Sequence, residues 1–159
     1  MSQLNLKKHH IVVIGAGFGG IDFVNHLKRR DVQITLIDKR NHHLFQPLLY
    51  QVASASLAPS EIAWPVRHIF RNRKEVRTLM AEVVDIDKIL RKVILSSGDC
   101  ILYDSLVIAT GATHTYFGND NWAPYAQSLK TLEDATKIRS KILTAFEKAE
   151  HSKDDKLKD

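Results

Sequence analysis

The 159-residue chain has one cysteine, Cys100, so it can form no internal disulfide, and a disulfide-stapled scaffold is excluded. Four prolines and seven glycines exclude a collagen-like repeat. Long apolar runs are missing too. Stretches such as Ile11–Ile14 and 34–37 fall far short of the ~20 residues that cross a bilayer. Met1–Lys8 is polar and the apolar run after it ends in glycines, which does not read as a secretory signal. Aromatic residues are 8% of the chain and do not alternate with the bases, so no nucleic-acid partner is expected. Neither Gly-x-Ser-x-Gly nor His-Glu-x-x-His occurs.

What is present suits one folded domain with a real core: 44% apolar and 26% charged residues. The formal charge of +5 is concentrated before residue 151, because His151–Asp159 holds three lysines and three aspartates. Lys28-Arg29-Arg30 and the group Arg67, Arg71, Arg73, Lys74 and Arg77 read as solvated helix ends and loops. A phosphate-rich ligand or an acidic membrane surface is the alternative for them.

Along the chain, His10–Ile14 reads as a buried strand, followed at once by Gly15–Gly20. A helix is expected over Ile21–Arg30, with Phe18, Ile21, Val24 and Leu27 on one face, then a second strand over Val32–Ile37 ending at Asp38. Strand, glycine turn, helix, strand is a βαβ unit, and strands so uniformly apolar suit a parallel sheet covered on both faces. Asn41–Ala58 is too apolar for a solvated loop, and Pro47 interrupts a helix there. Pro59-Ser60-Glu61 opens a short helix towards Phe70. Val76–Asp87 and Lys92–Leu102 read as antiparallel strands, with turn chemistry at Ser97-Gly98-Asp99. Leu106–Ala109 is a further buried strand ending in Thr110-Gly111. Thr131 and Asp134 resemble a capping box for a helix to Glu150, whose stripe Ala135, Ile138, Ile142, Phe146 and Ala149 reads as core packing. His151–Asp159 reads as a polar tail or linker.

Gly15-Ala16-Gly17-Phe18-Gly19-Gly20 satisfies G-x-G-x-x-G in the context that gives the pattern meaning: strand before, helix after, acid at the end of the next strand. Gly15 permits the tight turn, Gly17 lets a pyrophosphate approach the backbone, and Gly20 lets the helix pack close. The helix N-terminus adds unpaired N–H groups and about half a positive charge. Asp38 is placed to accept hydrogen bonds from an adenosine ribose.

Past the second strand the order departs from alternating βα units. The segments Val12–Gly20, Asp38–Ala53 (with His42-His43-Leu44-Phe45-Gln46-Pro47-Leu48-Leu49-Tyr50 as its selective block) and Leu106–His114 resemble the N-terminal part of type II NADH:quinone oxidoreductases. These are single-subunit, non-proton-pumping flavoproteins, and the resemblance covers residues 9–150. It implies an α/β fold: a Rossmann-like FAD-binding domain with a parallel sheet plus an antiparallel β excursion, truncated before the NADH-binding domain. It implies residues 1–130 as a partial FAD-binding domain, 131–150 as a connecting helix and 151–159 as a tail. It implies electrons passing from NADH through FAD to a membrane quinone, by a full-length protein peripheral to the cytoplasmic face of the membrane.

By position, the resemblance assigns Gly15, Gly17 and Gly20 to the FAD pyrophosphate, with Phe18 counted in the same set. Asp38 goes to the adenosine ribose, Lys39 to the neighbourhood of the adenosine, and the backbone around Val83 to the adenine. Thr110 and Gly111 go to the phosphates, and Gln46 and Pro47 towards the isoalloxazine. No second G-x-G-x-x-G exists here, since the other glycines are Gly98, Gly111 and Gly118. The NADH domain, the quinone site and the membrane helices are therefore expected outside this chain. The chain alone is expected to bind FAD poorly, to self-associate through exposed apolar faces and not to oxidise NADH. Other two-dinucleotide-domain flavoproteins, of the sulfide:quinone or ferredoxin reductase kind, and a standalone nucleotide-binding module are the rival readings. His9-His10 and His42-His43 lack metal-ligand spacing, so no metal is expected. Cys100 reads as a half-buried strand residue without a redox partner.

Overall fold

The opening strand, glycine turn, helix and strand follow in the order the apolar pattern requires, but several boundaries fall elsewhere. A computed structural model describes residues 7–151. In chain order these form β1 (His9–Ile14), α1 (Phe18–His26), β2 (Val32–Asp38), β3 (His42–Leu44), a 3-10 turn (Gln46–Leu48), α2 (Leu49–Ala53), α3 (Pro59–Ile62), β4 (Ala63–Pro65) and α4 (Val66–Ile69). There follow β5 (Val76–Met80), β6 (Val83–Asp87), β7 (Lys92–Leu95), β8 (Cys100–Leu102), β9 (Ser105–Ile108), a 3-10 turn (Asp120–Trp122) and α5 (Leu132–His151). They divide into two compact units: one takes the residues up to His43 and Trp64–Ala112, the other Leu44–Ala63 and the residues from Thr113 on.

The first unit is built on a four-stranded sheet in the order β5-β2-β1-β9. All three pairings are parallel, with Val13 opposite both Leu36 and Val107. Alternation sends Ile11 and Val13 to one face and Val12 and Ile14 to the other, and both faces are covered. On the first face Ile11, Val13, Ile34 and Leu36 pack against Ile21 and Val24 of α1 and Val66 and Phe70 at α4. On the second, Val12, Ile14 and Ile37 pack against Val93 and Leu95 of a three-stranded antiparallel sheet, β6-β7-β8. Thr35 is the one buried polar side chain of this core among the described residues, and its hydroxyl pairs with His10 Nε2 at 2.8 Å.

In the second unit Leu49, Val52 and Ala53 of α2, Ile62 of α3 and Ala135 of α5 form a separate core. α5 starts with a reciprocal cap: the Asp134 N–H donates to Thr131 Oγ1 at 3.1 Å and the Thr131 N–H donates to Asp134 Oδ2 at 2.9 Å.

Six expectations need correction. The helix expected over Ile21–Arg30 begins at Phe18 and ends at His26, so the last glycines of the turn already lie in its first turn, and Phe18 is 48% exposed instead of facing the core. The helix expected from Pro59 to Phe70 breaks into α3, β4 and α4, because Pro65 has no N–H to continue it. Val76–Asp87 is two strands, not one antiparallel strand: β5 joins the parallel sheet beside β2, and only β6 begins the antiparallel one. The α5 stripe packs at Ala135 and Ile138, but Ile142 and Phe146 are exposed. Cys100 is exposed. Among the described residues no helix is long and apolar enough to cross a membrane. The expected tail beyond His151 and the start of the chain lie outside the described residues.

Candidate functional site

The carboxyl ends of β1, β2 and β9 meet at the glycine turn. Gly15 adopts φ 103°, a left-handed conformation that suits glycine, and its N–H donates to the Ile37 carbonyl at 2.7 Å. A Cβ on Gly15 would stand 2.2 Å from the Ala109 carbonyl oxygen, and one on Gly20 would stand 1.8 Å from the Gly15 carbonyl oxygen. The turn is thus pressed between β9 and its own helix, and both positions exclude a side chain. Gly17 differs: a Cβ there would meet nothing within 4 Å. It is the N-cap of α1, it supplies no side-chain cap, and the first turn holds no acidic residue. The positive end of the helix thus carries neither a side-chain cap nor a carboxylate in its first turn, the electrostatic condition for an anion.

Asp38 closes the other side. Its Oδ2 accepts the Ala16 N–H at 2.7 Å and its Oδ1 accepts the Arg40 N–H at 2.8 Å, so the carboxylate is held against the glycine turn. The Asp38 carbonyl accepts the Ala81 N–H at 2.9 Å, which ties the start of the antiparallel excursion to the end of β2. A cleft of about 230 Å³ results, lined by Ile14, Gly15, Ile37, Asp38, Lys39, Arg40, Ala81, Glu82, Val83 and Thr110. The register of β6 on β7 shifts between Val83 and Asp85, so the strand bends where it lines the cleft.

Of the residues singled out from the sequence, Gly15, Asp38, Lys39, Val83 and Thr110 come together around this cleft. Gly111 follows with φ 72°. Gly17 caps the helix that leaves the same turn and Gly20 lies in its first turn, and the Phe18 ring meets His43 edge-on with centroids 5.0 Å apart. Gln46 and Pro47 lie in the second unit, where they open its first 3-10 turn. Arg40 and Glu82 also line the cleft and were not singled out. The available signal was their place in the chain, Arg40 two positions after Asp38 and Glu82 directly before Val83. His43, part of the selective block but given no role at the site from the sequence, pairs its Nδ1 with the Ala16 carbonyl at 3.1 Å.

Residues 9–150 match the sequence profile of pyridine nucleotide-disulphide oxidoreductases. The chain belongs to that family. Within it, the chain is 49% identical over 150 residues to the type II NADH:quinone oxidoreductase NdhA of Mycobacterium tuberculosis, an alignment covering 92% of this chain and 32% of that protein. The solved structure of NDH2 from Plasmodium falciparum in complex with NADH matches with a TM-score of 0.79 at 30% identity, over 89% of this chain and 30% of that chain. The sulfide:quinone oxidoreductase of Aquifex aeolicus matches with a TM-score of 0.78 at 28% identity, over 87% of this chain and 32% of that chain. The chain spans about a third of the length of the curated relatives it matches. The fold, a parallel sheet with an added antiparallel sheet, is the one expected from the sequence.

Proposed function

We propose that this chain is the FAD-binding part of a type II NADH:quinone oxidoreductase. The single observation that carries the reading is the Asp38 carboxylate, bonded to the Ala16 N–H in a glycine turn whose helix starts without a side-chain cap. A carboxylate and an anion-accepting helix end, both at the carboxyl ends of parallel strands and joined by one glycine turn, are what the ribose and diphosphate of a dinucleotide require. The open position at Gly17 supports the same fit, since a phosphate can reach the backbone there.

In this reading Gly15, Gly17 and Gly20 shape the diphosphate cradle, with Phe18 beside it. Asp38 holds the ribose hydroxyls, Lys39 lies along the adenosine, Val83 meets the adenine through its backbone, and Thr110 and Gly111 flank the phosphates. Gln46 and Pro47 are assigned to the flavin-ring end from the family block alone. Bound flavin supplies a two-electron carrier between NADH and a quinone. The residues of this chain bind and orient it. Residues 1–130 serve as the nucleotide-binding region, 131–150 as the connecting helix towards an NADH-binding domain, and 151–159 as a linker. The whole protein acts peripherally at the cytoplasmic face of the membrane, where its quinone is.

The test is competitive binding to this chain of FAD, ADP and FMN. FAD and ADP are expected to compete for one site and FMN to bind far more weakly, because the cleft addresses the ADP half. FMN binding as tightly as FAD, or ADP failing to compete, overturns the reading. The likeness to the sulfide:quinone enzyme supports a second reading, decided by whether the gene product carrying this chain reduces a soluble quinone with NADH or with sulfide.

A further inference from the structure

The sequence block from His42 to Tyr50 is the most selective feature of the chain, yet the diphosphate cradle as described uses none of it. His43 connects the two. Its Nδ1 lies 3.1 Å from the Ala16 carbonyl oxygen, and since that oxygen only accepts, Nδ1 carries the proton. The Ala16 N–H is held by Asp38 Oδ2. Both polar groups of Ala16, the residue between the first two glycines, are thus fixed by side chains from outside the turn.

The carbonyl of Ala16 shares its peptide plane with the N–H of Gly17. In a trans peptide these two groups point in opposite directions, and the described chain has no cis bond. Holding the carbonyl towards His43 therefore aims the Gly17 N–H the other way. The control is needed because of what Gly17 is. The missing Cβ that opens the turn to a phosphate also frees the 16–17 peptide to flip, since glycine accepts either sign of φ. A flipped peptide would present a carbonyl oxygen to a diphosphate, with repulsion in place of a hydrogen bond. The Phe18 ring, meeting the imidazole edge-on at 85°, holds the lock in orientation.

We propose that His43 is a positioning residue for the diphosphate of the bound nucleotide: its Nδ1–H locks the Ala16–Gly17 peptide in the orientation that presents an N–H, not a carbonyl, to the phosphates. The proposal rests on the FAD-binding reading above.

The experiment measures ADP and adenosine binding by calorimetry for the wild-type chain, His43→Phe and His43→Asn. Phenylalanine keeps a ring against Phe18 and loses the donor. Asparagine places an amide N–H where Nδ1 stands. His43→Phe is expected to weaken ADP about tenfold, the scale of one hydrogen bond exchanged for an unfavourable contact, and to leave adenosine unchanged. His43→Asn is expected to restore ADP affinity to within about twofold of wild type. Equal ADP binding by His43→Phe overturns the proposal while leaving the FAD reading intact. Parallel loss of ADP and adenosine overturns it by showing a general structural role, and failure of the asparagine rescue overturns it by showing that the ring, not the donor, matters. A wild-type chain that does not prefer ADP to adenosine overturns the FAD reading and the proposal together. Should His43→Phe fail to fold, the nitrogen NMR signals of wild-type His43 decide. A proton on Nδ1 is expected, and a ring protonated at Nε2 alone overturns the lock.

Discussion

Two glycines of one motif should fail in opposite ways when replaced by alanine. At Gly20 a Cβ would stand 1.8 Å from the Gly15 carbonyl oxygen, 3.0 Å from its carbon and 3.5 Å from Val13 Cγ1. The first of these is about 1.5 Å inside ordinary van der Waals contact, and the neighbour is backbone, with no rotamer to swing away. Alanine in a helix interior gains about 1 kcal/mol over glycine from propensity. Overpacking costs about 1–3 kcal/mol where side chains can yield, and here α1 itself must move off the sheet that Ile21 and Val24 cover. With backbone forced to shift, a gross cost of about 4 kcal/mol leaves a net loss of about 3 kcal/mol, a fall of roughly 6–12 °C in the unfolding midpoint for a chain of this size. Gly17→Ala meets nothing within 4 Å and has φ −76°, so its cost is confined to a poorer N-cap, about 1 kcal/mol. It should nevertheless weaken ADP more than tenfold, because the methyl group occupies the approach of the diphosphate. Thermal unfolding followed by circular dichroism, with ADP titration of each folded variant, separates the two effects. A Gly20→Ala variant as stable as the parent, or a Gly17→Ala variant that binds ADP normally, would refute the reasoning.

The pH dependence of stability has a fixed sign. Burial holds His10 below its ordinary imidazole value against the opposing pull of Asp104, so the folded state prefers it neutral, and the stability this brings is lost as pH falls below ~6.5. Burial pushes the Asp134 carboxyl up, but hydrogen bonds from the Lys130 N–H, the Ser128 hydroxyl and Thr131 outweigh it and hold it below the usual range. Glu75 is lowered by its own backbone N–H and by Arg73, and Asp104 by the His10 N–H. Their contributions, present above ~4, are lost on further acidification, so the unfolding midpoint should fall in two stages; a midpoint that is flat or rises from pH 7 to pH 3 contradicts this. Phe146→Lys, at a position 69% exposed on α5 beside Ile142 and Leu143, should shift the chain towards monomer in sedimentation velocity, and unchanged association would show that this stripe is not the adhesive surface.

The parts legible in the sequence are those whose physics is local. β1 and β2 declare themselves by β-branched runs, the cradle by glycines flanked by strand and helix, and the α5 start by Thr131 and Asp134, whose reciprocal bonds the structure contains. The split of Val76–Asp87 was not legible, because β-propensity marks a strand without saying which neighbour it pairs with. Whether Val76 continues beside β2 is decided by its non-local register with Ile34. Phe18 fits the helical stripe by spacing but sits on its open end, where the ring meets His43 instead of the core. His43 itself was invisible as a neighbour of Ala16, being twenty-seven positions away and joined to it only by folding.

The sheet of β6, β7 and β8 covers Val12, Ile14 and Ile37 where a doubly wound protein would place a second layer of helices. It therefore cannot be excised or shortened as though it were a decorative insertion, since its removal would bare the underside of the central strands to water. It also carries Val83 into the cleft through its first residue. Any attempt to graft this glycine turn onto another scaffold has to transplant the excursion along with it, because one stretch of polypeptide is both the floor of the domain and a wall of the cleft.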